Sequence, residues 1–364
     1  MKSSSIPHKK FFTSCLLSWN GTKNTREMPW KGEKDPYKIW LSEIILQQTR
    51  VQQGLEYYNQ FIKTFADIKS LATAPEQKIF KLWEGLGYYT RCSNLIATAK
   101  FIHENLDDQF PQKYEDILSL KGIGSYTASA IASFAYNEPY AVLDGNVFRV
   151  LSRFFGIEMP INTTQGKKYY GELAQLLIDK KNPAEYNQAI MDFGAIICKP
   201  SSPLCDECPF QKKCVAFLDK TVSVLPINEK TIKQQKRYFN YIIATYNKKY
   251  YIKERTQKDI WQHLYEFILI ETESLLNEKD FLHSDAFLSI FEKNEIAVKN
   301  VSKIYSQKLT HQLIKGQFFF IQINHPLKKK EGFRMVTKKQ LSALPFPKFI
   351  VSYLTDKNVS LNLF

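Results

Sequence analysis

Several things are scarce in this chain, and each shortage closes off a class of protein. No apolar run approaches the length of a bilayer span, so an integral helical membrane protein is not expected. Residues 1–10 hold no apolar core of signal-peptide length. Six cysteines in 364 residues are too few for a secreted disulfide scaffold, and a reducing compartment is expected instead. No internal repeat is present. Acidic residues are outnumbered: 36 Asp and Glu face 50 Lys and Arg, a formal net charge of +14. That excess suits a polyanionic partner, nucleic acid above all. What is present in quantity is apolar side chain, 44% of the residues, enough for two or more globular domains.

Up to about residue 218 the pattern is helix after helix. Asp35 followed by Pro36 marks a helix start, a capping side chain before proline at the first helical position. Further helices are expected over 53–65, 76–82, 91–105 and 125–136. The character changes after the last cysteine. Residues 226–237 are polar and lysine-rich, as in a linker. Beyond them 238–243 and 250–254 are β-rich runs joined at Asn247-Lys248-Lys249, and 317–323 is another strand candidate. The expected fold is a mainly α N-terminal half followed by an α+β C-terminal domain.

Four motifs carry chemistry. The first is Leu120-Lys121-Gly122-Ile123-Gly124, set between helical patterns and followed by a small-residue helix. Gly122 and Gly124 allow a tight turn whose amides, with the next helix N-terminus, can hold a DNA phosphate, which makes this a helix-hairpin-helix. The second is Asp144, twenty residues beyond Gly124, in a capping position that favours its ionised form. The third is Glu43, inside a very apolar helix, where desolvation would raise its pKa. A raised acid and an ionised aspartate form the pair that glycosidic bond cleavage uses. The fourth is Cys198-x6-Cys205-x2-Cys208-x5-Cys214. Four thiolates so spaced bind zinc or an iron–sulfur cluster, and softness does not separate these metals. Lys199, Lys212 and Lys213 add cations for the DNA backbone. Cys15 and Cys92 stand apart and are expected to be buried thiols.

Together these segments resemble the MutY family of adenine DNA glycosylases, in the helix-hairpin-helix, iron–sulfur glycosylase superfamily. The resemblance rests on Met28-Pro29-Trp30, Trp40-x2-Glu43-x3-Gln47-Gln48-Thr49, Gly85-Leu86-Gly87-Tyr88-Tyr89, the hairpin, the Asp144 segment and the four cysteines. It continues beyond the linker in Ile260-Trp261-Gln262-His263-Leu264-Tyr265-Glu266-Phe267. It implies a six-helix barrel over 29–136, a cluster lobe from 1–28 with 137–220, a linker at 221–236 and a Nudix-like domain over 237–364. It implies a [4Fe-4S] cluster on Cys198, Cys205, Cys208 and Cys214. Glu43 would protonate the departing adenine, Asp144 and Tyr126 would stabilise the oxocarbenium ion, and Asn146 would orient Asp144. Arg26, Met28, Trp30, Val51, Gln188 and Met191 match positions lining the adenine pocket. Gln48 and Tyr88 match residues that fill the gap left by the extruded base, and Thr49, Leu86, Gly122 and Gly124 fall in DNA-contacting segments.

The implied substrate is double-stranded DNA with adenine opposite 8-oxoguanine, acted on by a monomer in a bacterial cytoplasm, at the nucleoid and away from membranes. One position separates this branch from its relatives, and one segment departs from the family's pattern. Related bifunctional glycosylases place a lysine two residues after the hairpin's last glycine, where this chain has Tyr126. A phenol cannot form an imine, so monofunctional hydrolysis is implied. The family's 8-oxoguanine loop reads Phe-Ser-His. The corresponding segment here is Leu309-Thr310-His311, with the aromatic lost, and Ser306 is an alternative alignment. No Nudix hydrolase signature is present. The rival readings are a bifunctional pyrimidine glycosylase and a non-catalytic iron–sulfur DNA-binding protein.

Overall fold

A computed structural model describes residues 6–229, 234–291, 294–327 and 332–356. They fall into two compact units, 6–72 with 97–229 and 73–96 with 234–356. In chain order the helices of the N-terminal half are α1 (Lys9–Lys23), α2 (Pro36–Leu46), α3 (Val51–Thr64), α4 (Ile68–Ala72), α5 (Glu76–Trp83) and α6 (Tyr89–Asn105). They continue with α7 (Tyr114–Ser119), α8 (Ser125–Tyr136), α9 (Gly145–Phe155), α10 (Thr164–Leu177), α11 (Pro183–Ile196) and α12 (Val215–Leu218). Among the described helices none is long and apolar enough to cross a membrane.

In the first unit, α1 and α9 carry their apolar residues at helical spacing: Phe12, Leu16 and Trp19 on one, Val147, Val150, Leu151 and Phe154 on the other. They meet Tyr170, Leu173 and Leu177 of α10 and Tyr186, Ile190 and Phe193 of α11 in one core. Phe210, from the cysteine loop, stacks on Phe12 with centroids 4.8 Å apart and so ties that loop to the same core. α2 is buried almost all round, from Tyr37 to Ile45, which makes it a central helix. It packs against α3 and α8. Thr127 through Ser133 of α8 are all buried and, Ile131 apart, small, which lets α2 come close.

The second unit is built on an eight-stranded sheet. Its strands are β1 (Gln235–Tyr246), β2 (Lys249–Glu254), β3 (Tyr265–Glu266), β4 (Ile268–Thr272), β5 (Ile296–Val301), β6 (Tyr305–Lys308), β7 (Gln312–Ile323) and β8 (Phe333–Val336). The main path runs β3-β2-β1-β7-β5, with β4 on β1, β6 on β7 and β8 on β2. The β1–β2 hairpin turns at Asn247 (φ 48°) and Lys248 (φ 59°), the paired left-handed residues of a type I′ turn. At the centre β1 and β7 run parallel. One face is covered by α13 (Glu278–Leu282) and α14 (Asp285–Phe291) through Phe281, Phe287 and Phe291. α15 (Lys338–Ser342) and α16 (Lys348–Leu354) complete the unit. Residues 73–96, which sequence assigns to the helical barrel, group with this sheet. The linker expectation falls partly on 230–233, outside the described residues, and its last residues, from Gln235, already form β1.

Candidate active site

Asp35 caps α2 by accepting the Tyr37 amide at 2.9 Å, and Pro36 opens the helix. This orients α2 so that Glu43 is buried, at 7% exposure, yet reaches a cavity of about 820 Å³. Gly124 is the N-cap of α8, and the second residue of that helix, Tyr126, hydrogen-bonds to the Glu43 carboxyl. Asp144 caps α9. Its Oδ1 accepts the Val147 amide at 2.8 Å and its Oδ2 accepts Asn146 Nδ2 at 2.7 Å. The Asn146 amide is itself fixed, because its Oδ1 accepts Arg149 Nη2 at 2.8 Å. Glu43, Tyr126, Asp144 and Asn146 all line the one cavity.

The two carboxyls differ electrostatically. Burial pushes Glu43 up to about 7, moderated by the Tyr126 hydrogen bond and reinforced by the charge of Asp144. Burial also raises Asp144, but the Val147 and Asn146 donors and the Arg149 cation hold it back. One group is therefore poised to hold a proton near neutrality while the other has donors arranged for its anion.

The same cavity is lined by Arg26, Met28, Trp30, Val51, Gln188 and Met191, and by Gln48, Thr49 and Gly124. Gly122 (φ 78°) lies in the exposed hairpin turn and is not among the cavity residues. Leu86 and Tyr88 belong to the second unit, as do Thr310 and His311, both exposed at the tip of the β6–β7 hairpin. Gln48 (φ 56°) and Tyr88 (φ 48°) both adopt left-handed backbone, which costs a non-glycine residue roughly 1–2 kcal/mol.

The four cysteines follow α11, and all are free thiols. Among the described residues no three or more His, Cys, Asp or Glu side chains are gathered as a ready ion-binding group. Their neighbourhood can still be tested against a thiolate-bound group. Cys205, Cys208 and Cys214 each feel the charge of Cys198, and burial pushes Cys208 up to about 12. Arg153 Nη1 donates to Cys198 Sγ at 3.5 Å, and the amides of Phe210 and Phe217 reach Cys208 and Cys214. Soft donors with N–H groups and a guanidinium aimed at sulfur are the surroundings a thiolate-ligated centre requires. The donor set fits such a centre.

Residues 41–174 match the family described as HhH-GPD superfamily base excision DNA repair protein. The adenine DNA glycosylase of Buchnera aphidicola subsp. Schizaphis graminum is 36% identical over 263 residues, covering 72% of this chain and 75% of that one. That of Buchnera aphidicola subsp. Baizongia pistaciae is 34% identical over 321 residues, 86% of each chain. The chain belongs to the adenine DNA glycosylases. It is an enzyme of base excision repair. The structure of a thermostable thymine-DNA glycosylase superposes with a TM-score of 0.54 at 30% identity, covering 58% of this chain and 97% of that one.

Several residues that brace the cavity of this adenine DNA glycosylase were not singled out from sequence. Asp192 on α11 is fully buried and collects Arg26 Nη1 (2.8 Å), Asn24 Nδ2 (2.9 Å), Gln188 Nε2 (3.0 Å) and Lys31 Nζ (3.3 Å). It thereby fixes the polar wall of the cavity. The available signal was its position four residues after Gln188, on the same helix face. Cys92 is buried, but Cys15 is only half-buried, with Sγ 3.7 Å from the Pro209 carbonyl. It flanks the α1 stripe whose Leu16 and Trp19 face the core.

Gly194 is the other omission. A Cβ there would stand 2.6 Å from Asn146 Cβ and 3.0 Å from the Asn146 backbone. Its own carbonyl accepts Arg149 Nη2 at 2.7 Å. Gly194→Ala should push Asn146 off Asp144. The overpacking costs about 1–3 kcal/mol, offset by about 1 from helix propensity. The expected result is a small loss of thermal stability with a fall in single-turnover excision of about tenfold or more and little change in duplex affinity. Melting curves, gel shifts and quench-flow kinetics on one preparation check all three.

Proposed function

We propose that this enzyme hydrolyses the N-glycosidic bond of adenine opposite 8-oxoguanine, or guanine, and leaves an abasic site without cutting the backbone. The observation that carries this reading is the convergence of a proton-holding Glu43 and a donor-supported Asp144 on one cavity. Glu43 gives its proton to the five-membered ring of the extruded adenine, and the bonding electrons leave with the base. The Asp144 carboxylate faces the positive charge on the sugar, supported by the Tyr126 hydroxyl, while Asn146 keeps the carboxylate aimed. A water then adds to the sugar carbon and returns a proton to the site. Tyr126 has no amine, so no imine step follows.

The remaining family features belong to the same proposal. Arg26 and Gln188, braced by Asp192, suit the hydrogen-bonding edge of a purine, and Met28, Trp30, Val51 and Met191 suit its faces. The strained backbone of Gln48 and Tyr88 supports their reading as the residues that enter the base stack. Cys198, Cys205, Cys208 and Cys214 would hold the [4Fe-4S] cluster, with zinc as the alternative that thiolate chemistry permits. When bound, the cluster would crosslink the loop and present Lys199, Lys212 and Lys213 to phosphates; no reaction step passes through it. We read the α+β domain as Nudix-like and the enzyme as a monomer.

The test is a single-turnover assay on duplexes with adenine opposite 8-oxoguanine, adenine opposite guanine, and thymine opposite guanine. Strand breaks should appear only after alkali and only with the adenine duplexes. Breaks without alkali, or efficient borohydride trapping, would favour a lyase. Release of thymine would favour the specificity that the thymine-DNA glycosylase's name describes.

Opposite-base recognition is assigned to the exposed tip that carries Thr310 and His311, with Ser306 on the same hairpin. Thr310→Ala with His311→Ala should shrink the preference for 8-oxoguanine over guanine opposite adenine by about tenfold, the worth of one or two hydrogen bonds. Competition between the two duplexes measures it, and an unchanged ratio would move recognition elsewhere in the domain.

A further inference from the structure

Between α5 and α6 the chain runs Glu84-Gly85-Leu86-Gly87-Tyr88. Gly85 (φ 90°), Gly87 (φ 80°) and Tyr88 (φ 48°) all lie in the left-handed region. Tyr88 is a large aromatic held in that conformation while 48% exposed, so something must keep it there. Part of the restraint is local. Trp83 Nε1 donates to the Gly87 carbonyl at 2.9 Å, Arg91 Nη2 reaches the same oxygen at 3.4 Å, and the Arg91 guanidinium lies 5.3 Å from both the Trp83 and Tyr88 rings.

A second set of contacts comes from residues 344–346. The Phe346 amide donates to Glu84 Oε1 at 2.8 Å. The Tyr89 hydroxyl donates to the Phe346 carbonyl at 3.3 Å and accepts the Gly85 amide at 3.3 Å. Lys81 Nζ binds Glu84 Oε2 at 2.7 Å and the Leu344 carbonyl at 3.1 Å. Both backbone groups of Phe346 are thus taken by the residues at the two ends of the loop. Pro345, between them, accepts the Tyr265 amide at 2.9 Å, which ties the segment to β3. The Phe346 ring is buried and stacks on Phe267 at 5.6 Å.

We propose that Lys81, Glu84 and Tyr89 are positioning residues, a clasp through which the 344–346 segment of the sheet domain sets the pose of Tyr88 for opening the base pair. This rests on the reading of Tyr88 as a residue that enters the stack. The clasp has no part in proton transfer at Glu43 or charge stabilisation at Asp144. Loosening it slows extrusion of a paired adenine and spares cleavage of one that is already unpaired.

The experiment compares Glu84→Ala, Glu84→Gln and Tyr88→Ala with the unaltered enzyme. Each is given adenine opposite 8-oxoguanine in a full duplex and adenine in an unpaired bulge, with 2-aminopurine beside the target to report unstacking. Glu84→Ala should lose most of the fluorescence rise and slow excision from the duplex by about tenfold or more, while bulge excision stays within about twofold. Glu84→Gln keeps an acceptor for the Phe346 amide but loses the Lys81 ion pair, and should recover part of the signal. Tyr88→Ala should match Glu84→Ala in its loss on the full duplex. Equal losses on duplex and bulge in Glu84→Ala would mean a general folding role and overturn the proposal. If Tyr88→Ala changes nothing, the stack-filling reading fails and takes the clasp with it. If Tyr88→Ala is impaired and Glu84→Ala is not, the clasp alone is wrong.

Discussion

Glu43→Gln should slow adenine release by about 10³-fold, within the span that general acids contribute, and should make the protein more stable above pH 7. The second effect follows from burial. The carboxyl's pKa rises from its ordinary 4.5 to about 7 in the folded chain. A carboxyl raised by folding carries no penalty below its unfolded value. The penalty grows as pH climbs from about 4.5 and is complete above about 7. At that end it amounts to up to about 3 kcal/mol, from 1.36 kcal/mol per unit. Glutamine has no proton to lose, so melting curves of the two proteins should coincide near pH 4 and diverge by pH 8. The unaltered enzyme's single-turnover rate should fall about tenfold per unit above pH 7, as its acid is lost. A flat rate profile there, with Glu43→Gln still active, would remove Glu43 from the chemistry.

Asp144→Asn should abolish turnover, by about 10³-fold or more, while leaving duplex binding nearly intact. The aspartate meets two demands at once: one oxygen accepts the Val147 amide and the other accepts Asn146 Nδ2. An asparagine has one oxygen. Since Arg149 fixes which way the Asn146 amide faces, two NH₂ groups would confront each other if the cap is kept. The substitution therefore removes the charge proposed to face the sugar and disturbs its support, at a cap cost of about 1 kcal/mol that the fold can absorb. Phosphate contacts elsewhere still hold the DNA. A gel shift with folded variant and rapid-quench kinetics separate the two effects; lost binding would mean Asp144 organises the DNA surface itself.

Local chemistry was legible in the sequence where a few adjacent residues decide the outcome. Asp35-Pro36 announces α2, the hairpin glycines open α8 at Ser125, and Asn247-Lys248 turns β1 into β2. Glu43 could be suspected because its helix is apolar on every side. What could not be read depends on residues far apart in the chain. The parallel pairing of β1 with β7 joins residues about 77 apart, and although each strand could be suspected, no local signal says that they pair. Residues 73–96 look like further helical segments of the first half, and long-range contacts such as those to His263, Leu344 and Phe346 group them with the sheet. Asp192 and Gly194 look like an ordinary helix charge and a helix weakness until Arg26 and Asn146 arrive beside them.

Arg149 gives the Asp144 carboxylate a distant dependency. A single guanidinium donates to the Gly145 carbonyl at 3.1 Å, to Asn146 Oδ1, to the Gly194 carbonyl and, through Nε, to the Cys198 carbonyl at 2.6 Å. Any event that unravels the sulfur-bearing loop, such as oxidation of its thiols, frees one arm of that fork and slackens its grip on Asn146. Damage at the thiols would then surface as a crippled reaction centre before it surfaced as an unfolded protein.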